Sequence, residues 1–157
     1  MITNHTKYGL KAVLHLAKHD TSSLDDIADR ETIAADALAD IFQKLERAGF
    51  IKQASPDNVM LARPANQIMV GEVVRAIDGP LAPIPCVSHT AYERCNDCFS
   101  EEACEIRRLM RLVRDTTAFI LDKTSILDMG AGRNPRVIFD DAGLELSPHH
   151  AGRGTGT

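Results

Sequence analysis

Apolar residues repeat at helical spacing through most of this chain, interrupted once by two short β-prone runs. Leu10, Val13, Leu14 and Ala17 stand at i, i+3, i+4 and i+7, which predicts a helix over 4–18. In "TSSLDDIADRE", Ser23 is placed as an N-cap and Asp26 at the capping-box position, with Leu24, Ile27 and Ala28 facing inward. A third helix is predicted over about 35–48, where Leu38, Ile41, Phe42 and Leu45 repeat the spacing and Gly49 stops it. The second and third are joined by the short link "RETIAA", the pattern of a helix-turn-helix. The runs Phe50–Gln53 and Val59–Ala62 then flank the turn signal Ser-Pro-Asp-Asn and predict a hairpin, which in this position is the wing of a winged helix. A further helix follows in "QIMVGEVVRAIDGP", with Ile68, Val73, Val74 and Ile77 inward and Gly79-Pro80 closing it.

The longest helical pattern runs from about Glu102 to Lys123. Ile106, Met110, Val113, Thr117, Ile120 and Thr124 form a heptad-like seam, widened by Leu109, Leu112 and Phe119. So broad an apolar face, following a domain already complete, calls for a partner, and a second copy of the chain is the simplest one. "TSILDM" predicts a last short helix capped by Thr124 or Ser125, and the Gly-rich end beyond Gly130 is expected to be disordered. The expected class is mainly α. A winged helix-turn-helix domain would span 1–80, a cysteine-rich cofactor loop 81–104, a dimerisation helix with the final short helix 105–129, and a tail 130–157.

Composition narrows the picture. The chain has 157 residues with 44% hydrophobic but only 4% aromatic content, so its core is aliphatic. No run approaches the roughly 18–20 apolar residues of a membrane span, and the polar residues within "MITNHTKYGLKAVLHLAKHD" argue against a secretion signal, so the cytoplasm is expected. Net charge is −4, and both halves (1–80 and 81–157) carry nine Lys/Arg against eleven Asp/Glu. Bulk electrostatics therefore do not favour a nucleic acid, and any DNA contact must come from local geometry. No Ser/His/Asp set, phosphate-cradling glycine loop or paired-carboxylate site stands out, so no catalysis is expected.

All four cysteines lie in "PCVSHTAYERCNDCFSEEACEIRRLMRLVRD", at Cys86, Cys95, Cys98 and Cys104, a C-x8-C-x2-C-x5-C spacing. Disulfides are rarely structural in the cytoplasm. Thiolates are soft ligands suited to iron–sulfur clusters and zinc, and a loop that brings several close together favours one shared site. Two other readings are a set of small buried hydrophobes and a thiol–disulfide switch on the CxxC. The surrounding Glu93, Arg94, Asn96 and Asp97 are too polar for the first, and no βαβ pattern supports the second. Four thiolates would close a tetrahedral zinc site or ligate a cluster equally well.

Five segments in order, "TKYGLKAVLHLA", "IADRETIAADALADIFQKLERAGFI", "ARPANQIMVGEVVRAIDG", the cysteine loop and "LDKTSILDM", make residues 1 to about 129 resemble the Rrf-two family of bacterial winged-helix regulators. The resemblance implies a homodimer that crosses its long helices and reads a roughly palindromic double-stranded DNA operator. It also implies, in sensing members, an iron–sulfur cluster (2Fe-2S or 4Fe-4S) near the start of the long helix that controls DNA affinity. Cys98 and Cys104 match the family's last two cysteines, with Cys86 as first ligand across a lengthened loop. Cys95 is then the fourth ligand or an alternative first one. The residues that complete the site elsewhere in the family correspond here to Arg107, Lys7 and Lys11, so an all-cysteine site is expected. Arg107, Arg108, Arg111 and Arg114 could offset the charge of a cluster. Glu105–Arg108 and Arg111–Asp115 equally read as ion pairs on a solvated face. His89 and the His149-His150 pair are read as incidental.

On the DNA-binding side the third helix opens Ala34-Ala35-Asp36-Ala37, with Asp40 one turn on. Alanine can touch a thymine methyl and Asp36 can accept from cytosine N4, but carboxylates are repelled by phosphates. Candidate contacts are Lys7, Asp36, Ala37, Lys44, Lys52 and Arg63, with Lys11 and Arg47 as further basic residues. The expected function is a dimeric transcription regulator sensing iron, nitric oxide or redox stress through a cluster. The alternatives are a structural zinc protein acting by protein–protein contact and a cluster-free thiol-redox regulator.

Overall fold

The computed structural model describes residues 2–134 and 136–143. Helix α1 (Asn4–His19) begins at Thr3, whose hydroxyl accepts the amides of His5 and Thr6. Asp78 braces that cap by accepting the Thr3 amide and hydroxyl, each at 2.6 Å. Of the periodic residues Val13 is buried and Leu10, Leu14 and Ala17 are half-buried against the core, with Ala12 and Leu16 completing the buried face. Gly9 is required where α1 meets its neighbours, since a Cβ there would sit 2.1 Å from Ile77 Cδ1 and 3.3 Å from Ile41 Cγ2.

Strand β1 (Thr21–Ser23) follows, then α2 (Leu24–Glu31) and α3 (Ala35–Arg47). The hairpin is β2 (Ile51–Ser55) and β3 (Asn58–Leu61), with Lys52 opposite Met60 and an irregularity between Gln53 and Ser55. β1 was not expected from "TSS", which has no alternating pattern. It forms because β3 offers its open edge, pairing Thr21 with Met60 and Ser23 with Asn58 in the sheet order β1-β3-β2. Ser23 both ends this strand and caps α2, accepting the Asp26 amide as its sequence position predicts. His15, buried on α1, joins the sheet to α2: its Nε2 lies 3.1 Å from Ser22 Oγ and its Nδ1 3.4 Å from Glu31 Oε1.

After a 3-10 turn at Ala65–Gln67, α4 (Val70–Asp78) packs on α1 and α3. The core joins Val13 and Leu16 to Ile27, Leu38, Ile41, Leu45, Ile68, Val73 and Val74, all aliphatic. A long loop holding a second 3-10 turn at Pro85–Val87 leads to α5 (Glu105–Lys123) and α6 (Ile126–Gly130). α6 returns to the core: Ile126 donates to the Ile68 carbonyl at 2.9 Å and its side chain is fully buried. Arg75 of α4 clamps Asp122 of α5 with two bonds of 2.6 and 2.7 Å.

Two expectations need correction. The long helix starts at Glu105 rather than near Glu102, because Cys104 serves as its N-cap. The region beyond Gly130 is not wholly irregular, since α7 spans Arg136–Asp141. Its buried Phe139 packs against Phe119 of α5, with ring centroids 6.2 Å apart, so an apolar partner stabilises a helix that local sequence does not announce. Residues 144–157, with His149 and His150, lie outside the described residues.

Candidate metal site and nucleic-acid interface

Burial anchors the cysteine segment at one end. Cys86 and Val87 of the 3-10 turn are buried, whereas Cys95, Cys98 and Cys104 are half-buried. All four line a single open cavity of about 500 Å³, together with Ile84, Pro85, Arg94 and Ile106. Cys98 Sγ lies 3.8 Å from Cys104 Sγ. Two thiolates bound at about 2.3 Å to one tetrahedral ion stand about 3.8 Å apart, so this pair already has the spacing of a shared ion. Among the described residues no three His, Cys, Asp or Glu side chains are gathered around one point, so closing on an ion requires the thiols to draw further together. The donor set itself, four cysteines lining one cavity, suits a soft thiophilic centre.

The thiols differ in acidity. Hydrogen bonding with the thiols of Cys95 and Cys104 pushes Cys98 up to about 12. Cys104 is held below the ordinary thiol range, chiefly by the Arg107 amide, which donates to its sulfur at 3.4 Å. That amide is one of the free donors of the first helical turn, where the helix field also favours an anion.

Two residues that periodicity does not single out organise the loop. Glu101 accepts the Tyr92 hydroxyl at 2.9 Å and the Cys95 amide at 3.2 Å, and stands 3.7 Å from the Arg107 guanidinium. The Tyr92 bond, followed by the Cys95 amide and Arg107, draws the Glu101 carboxyl below its usual range. Arg107 Nε in turn donates to the Cys86 carbonyl at 3.2 Å. Two turns on, Arg114 is buried and donates to the next carbonyl, that of Val87. The pairs Glu105–Arg108 and Arg111–Asp115 do not form among the described residues. Asp115 is taken instead by Arg114 at 2.6 Å and approached by the exposed His89 at 4.0 Å. His89 lies outside the thiol cavity, in a neighbouring cleft. Only the seven-residue spacing of the two arginines, facing one side of the helix, hinted at this arrangement.

The N-terminal half of α5 is bare. Ile106, Leu109, Leu112 and Val113 are 67%, 56%, 63% and 41% exposed, whereas Phe119 is partly covered by α7.

On the helix-turn-helix face, Asp36 is exposed and Ala37 half-buried in the first turn of α3. Its N-cap, Ala34, offers no side-chain acceptor, so the first amides are open to one from outside. Lys44 is paired with Asp40 at 3.1 Å, and Arg63 with Glu72 at 3.3 Å while lying over the Phe50 ring. Lys11 is held by the Glu31 carbonyl at 2.7 Å. Lys52 projects from the wing strand, exposed and without an ion pair among the described residues. Lys7 sits elsewhere, beside an apolar groove formed by Ile2, Leu10, Leu14 and Met129. The structure thus lines one cavity with the four cysteines, while the six candidate DNA contacts are spread over α1 (Lys7), α3 (Asp36, Ala37, Lys44), β2 (Lys52) and the segment after β3 (Arg63).

A family model described as "Rrf2: Iron-dependent Transcriptional regulator" matches residues 2–132. The chain belongs to the Rrf2 family. An rrf2-like HTH-type transcriptional regulator of Rhodobacter capsulatus is 35% identical over 143 residues, covering 86% of this chain and 95% of that one. Among solved Rrf2-like structures, CymR, the global cysteine regulator of B. subtilis, is 25% identical with a TM-score of 0.68, covering 83% of this chain and 96% of that one. IscR of T. potens shares the fold at 20% identity and a TM-score of 0.63, covering 94% and 93%. The Rrf2 family consists of transcriptional regulators, not enzymes, and this chain carries its winged-helix architecture. No helix among the described residues is long and apolar enough to cross a membrane.

Proposed function

We propose that this Rrf2-family regulator is a homodimer that binds a double-stranded DNA operator and holds an iron–sulfur cluster on Cys86, Cys95, Cys98 and Cys104, through which it reads iron, nitric oxide or redox state. The observation that carries the reading is the convergence of all four cysteines on one cavity, at the foot of the helix with the bare apolar strip. The strip is the surface on which a second copy would pack. A bound cluster would supply reversible redox and ligand-exchange chemistry. The chain's own part is to present the sulfurs and couple their positions to α5. The domain limits follow: 1–80 for DNA, 81–104 for the cofactor and 105–129 for dimerisation.

For DNA, the uncapped start of α3 and the wing residue Lys52 are the favoured contacts, with Asp36, Ala37, Lys44 and Arg63 nearby in sequence and Lys7 further away. Half-sites must lie about one DNA turn apart, about 34 Å, so a small change in the packing of α5 alters affinity. Lys44 and Arg63 are each paired with a carboxylate, which offsets part of the positive charge they offer a phosphate.

The 3.8 Å Cys98–Cys104 spacing equally favours a second reading, a mononuclear zinc held by the same thiolates in a dimer that works through protein contacts. Anaerobic purification with metal and sulfide analysis separates the readings. Iron, acid-labile sulfide and visible charge-transfer absorption support the cluster, stoichiometric colourless zinc supports the second reading, and metal-free protein leaves thiol oxidation. Cys95→Ala should lower the metal content, and unchanged loading would remove Cys95 from the site. Gel shift on the protein's own promoter, with and without cofactor, tests the operator.

A further inference from the structure

We propose that Glu101 and Arg107 are positioning residues that hold the cysteine loop around its cavity before any metal arrives, so that the thiols need only draw together on an ion. The inference rests on the reading of the four thiols as a metal site. The two side chains are themselves sheltered, at 17% and 19% exposure, and face each other at 3.7 Å. Their side chains grip two of the four cysteines, and the Arg107 backbone amide reaches a third. Glu101 takes the amide of Cys95. Arg107 takes the carbonyl of Cys86 with its side chain and the sulfur of Cys104 with its backbone amide. Cys98 is then within reach through its 3.8 Å contact with Cys104. Tyr92 pins the far side of the Glu101 carboxylate, so the segment between Cys86 and Cys95 is also tied down.

Arg107 cannot do this job as a ligand, since a guanidinium stays protonated and has five donors and no acceptor. Each Glu101 oxygen accepts a protein donor, Oε2 from Tyr92 and Oε1 from Cys95, which ties the carboxylate to the loop. What the pair supplies is order. Charge-assisted hydrogen bonds hold the loop where four cysteines line one cavity, and a loop ordered in advance loses less entropy when it binds.

The test uses the intact, metal-free chain titrated anaerobically with Co(II), whose thiolate charge-transfer and ligand-field bands report affinity and the number of sulfurs bound. Removing such outer partners typically costs 10–100-fold in metal affinity. Glu101→Ala and Arg107→Ala should therefore weaken Co(II) binding about tenfold or more and shift the ligand-field bands toward fewer sulfurs, with little change in the Tm of the metal-free chain. Glu101→Gln, which keeps one acceptor oxygen, should recover part of the loss. If the wild-type chain binds Co(II) through thiolates and the alanine variants match it in affinity and spectrum, the positioning role is overturned while the metal site stands. A fall in Tm with unchanged bands also overturns it, leaving a purely structural role. If the wild-type chain shows no thiolate–cobalt band, the metal reading falls and takes this inference with it.

Discussion

Leu109 and Leu112 lie on the open half of α5 and are 56% and 63% exposed in the single chain. Full burial of a leucine side chain is worth about 1.5–3 kcal/mol, so covering the half that remains open contributes about 1–1.5 kcal/mol per residue. In the proposed dimer a two-fold interface would cover both leucines of both protomers, for a total of about 4–6 kcal/mol. Replacing both with alanine keeps a methyl group and forfeits most of this, about 3–4 kcal/mol, which is two to three powers of ten in the dimer dissociation constant. The protomer itself should survive, because exposed substitutions usually stay within about 0.5 kcal/mol and alanine favours the helix. Sedimentation equilibrium over a range of concentrations reads the constant, and circular dichroism checks the fold. A double variant that associates as tightly as the wild type refutes the assignment of this strip, and a wild-type chain that stays monomeric refutes the dimer.

Two further outcomes follow from local chemistry. In the metal-free chain, limiting iodoacetamide at about pH 8 should modify Cys104 before Cys98, because the thiolate is the nucleophile and the two acidities are shifted in opposite directions. Peptide mass spectrometry checks the order, and earlier labelling of Cys98 would contradict the hydrogen-bond pattern. At α6, the Ser125 hydroxyl donates to Asp128 at 2.6 Å and draws that carboxyl below its usual range. A depressed folded value gives stability that is complete above the unfolded pKa of about 3.9 and is lost as pH falls through the folded one. Asp128→Asn should therefore cost about 1 kcal/mol in urea unfolding at neutral pH, and the gap should close in acid; a gap independent of pH would exclude the ionic part of the cap.

Helical periodicity made α1 to α5 legible, since α1 to α4 place apolar residues at three- and four-residue steps against one core and α5 repeats the spacing on a face left largely open. The wing was legible from its turn residues. β1 was not, because a three-residue polar strand takes its stability from the edge of β3 rather than from its own side chains. α7 was hidden for the same kind of reason, its one buried aromatic depending on Phe119. Within the site, the cysteines announced themselves by density, but the roles of Glu101, Arg107 and Arg114 depend on where a loop of little periodicity folds back. Helix surface rules offered the pairs Glu105–Arg108 and Arg111–Asp115, which do not form among the described residues. The arginines drawn across to the carbonyls of the Pro85–Val87 turn are Arg107 and Arg114, which those rules leave unpaired.

Cys104 is at once a wall of the cavity and the first fastening of α5. Any species that draws electron density from its sulfur weakens the hydrogen bond by which the helix begins. A chemical event in the pocket therefore reaches the opening turn within one bond, and Ile106, exposed on that turn, lines the same pocket.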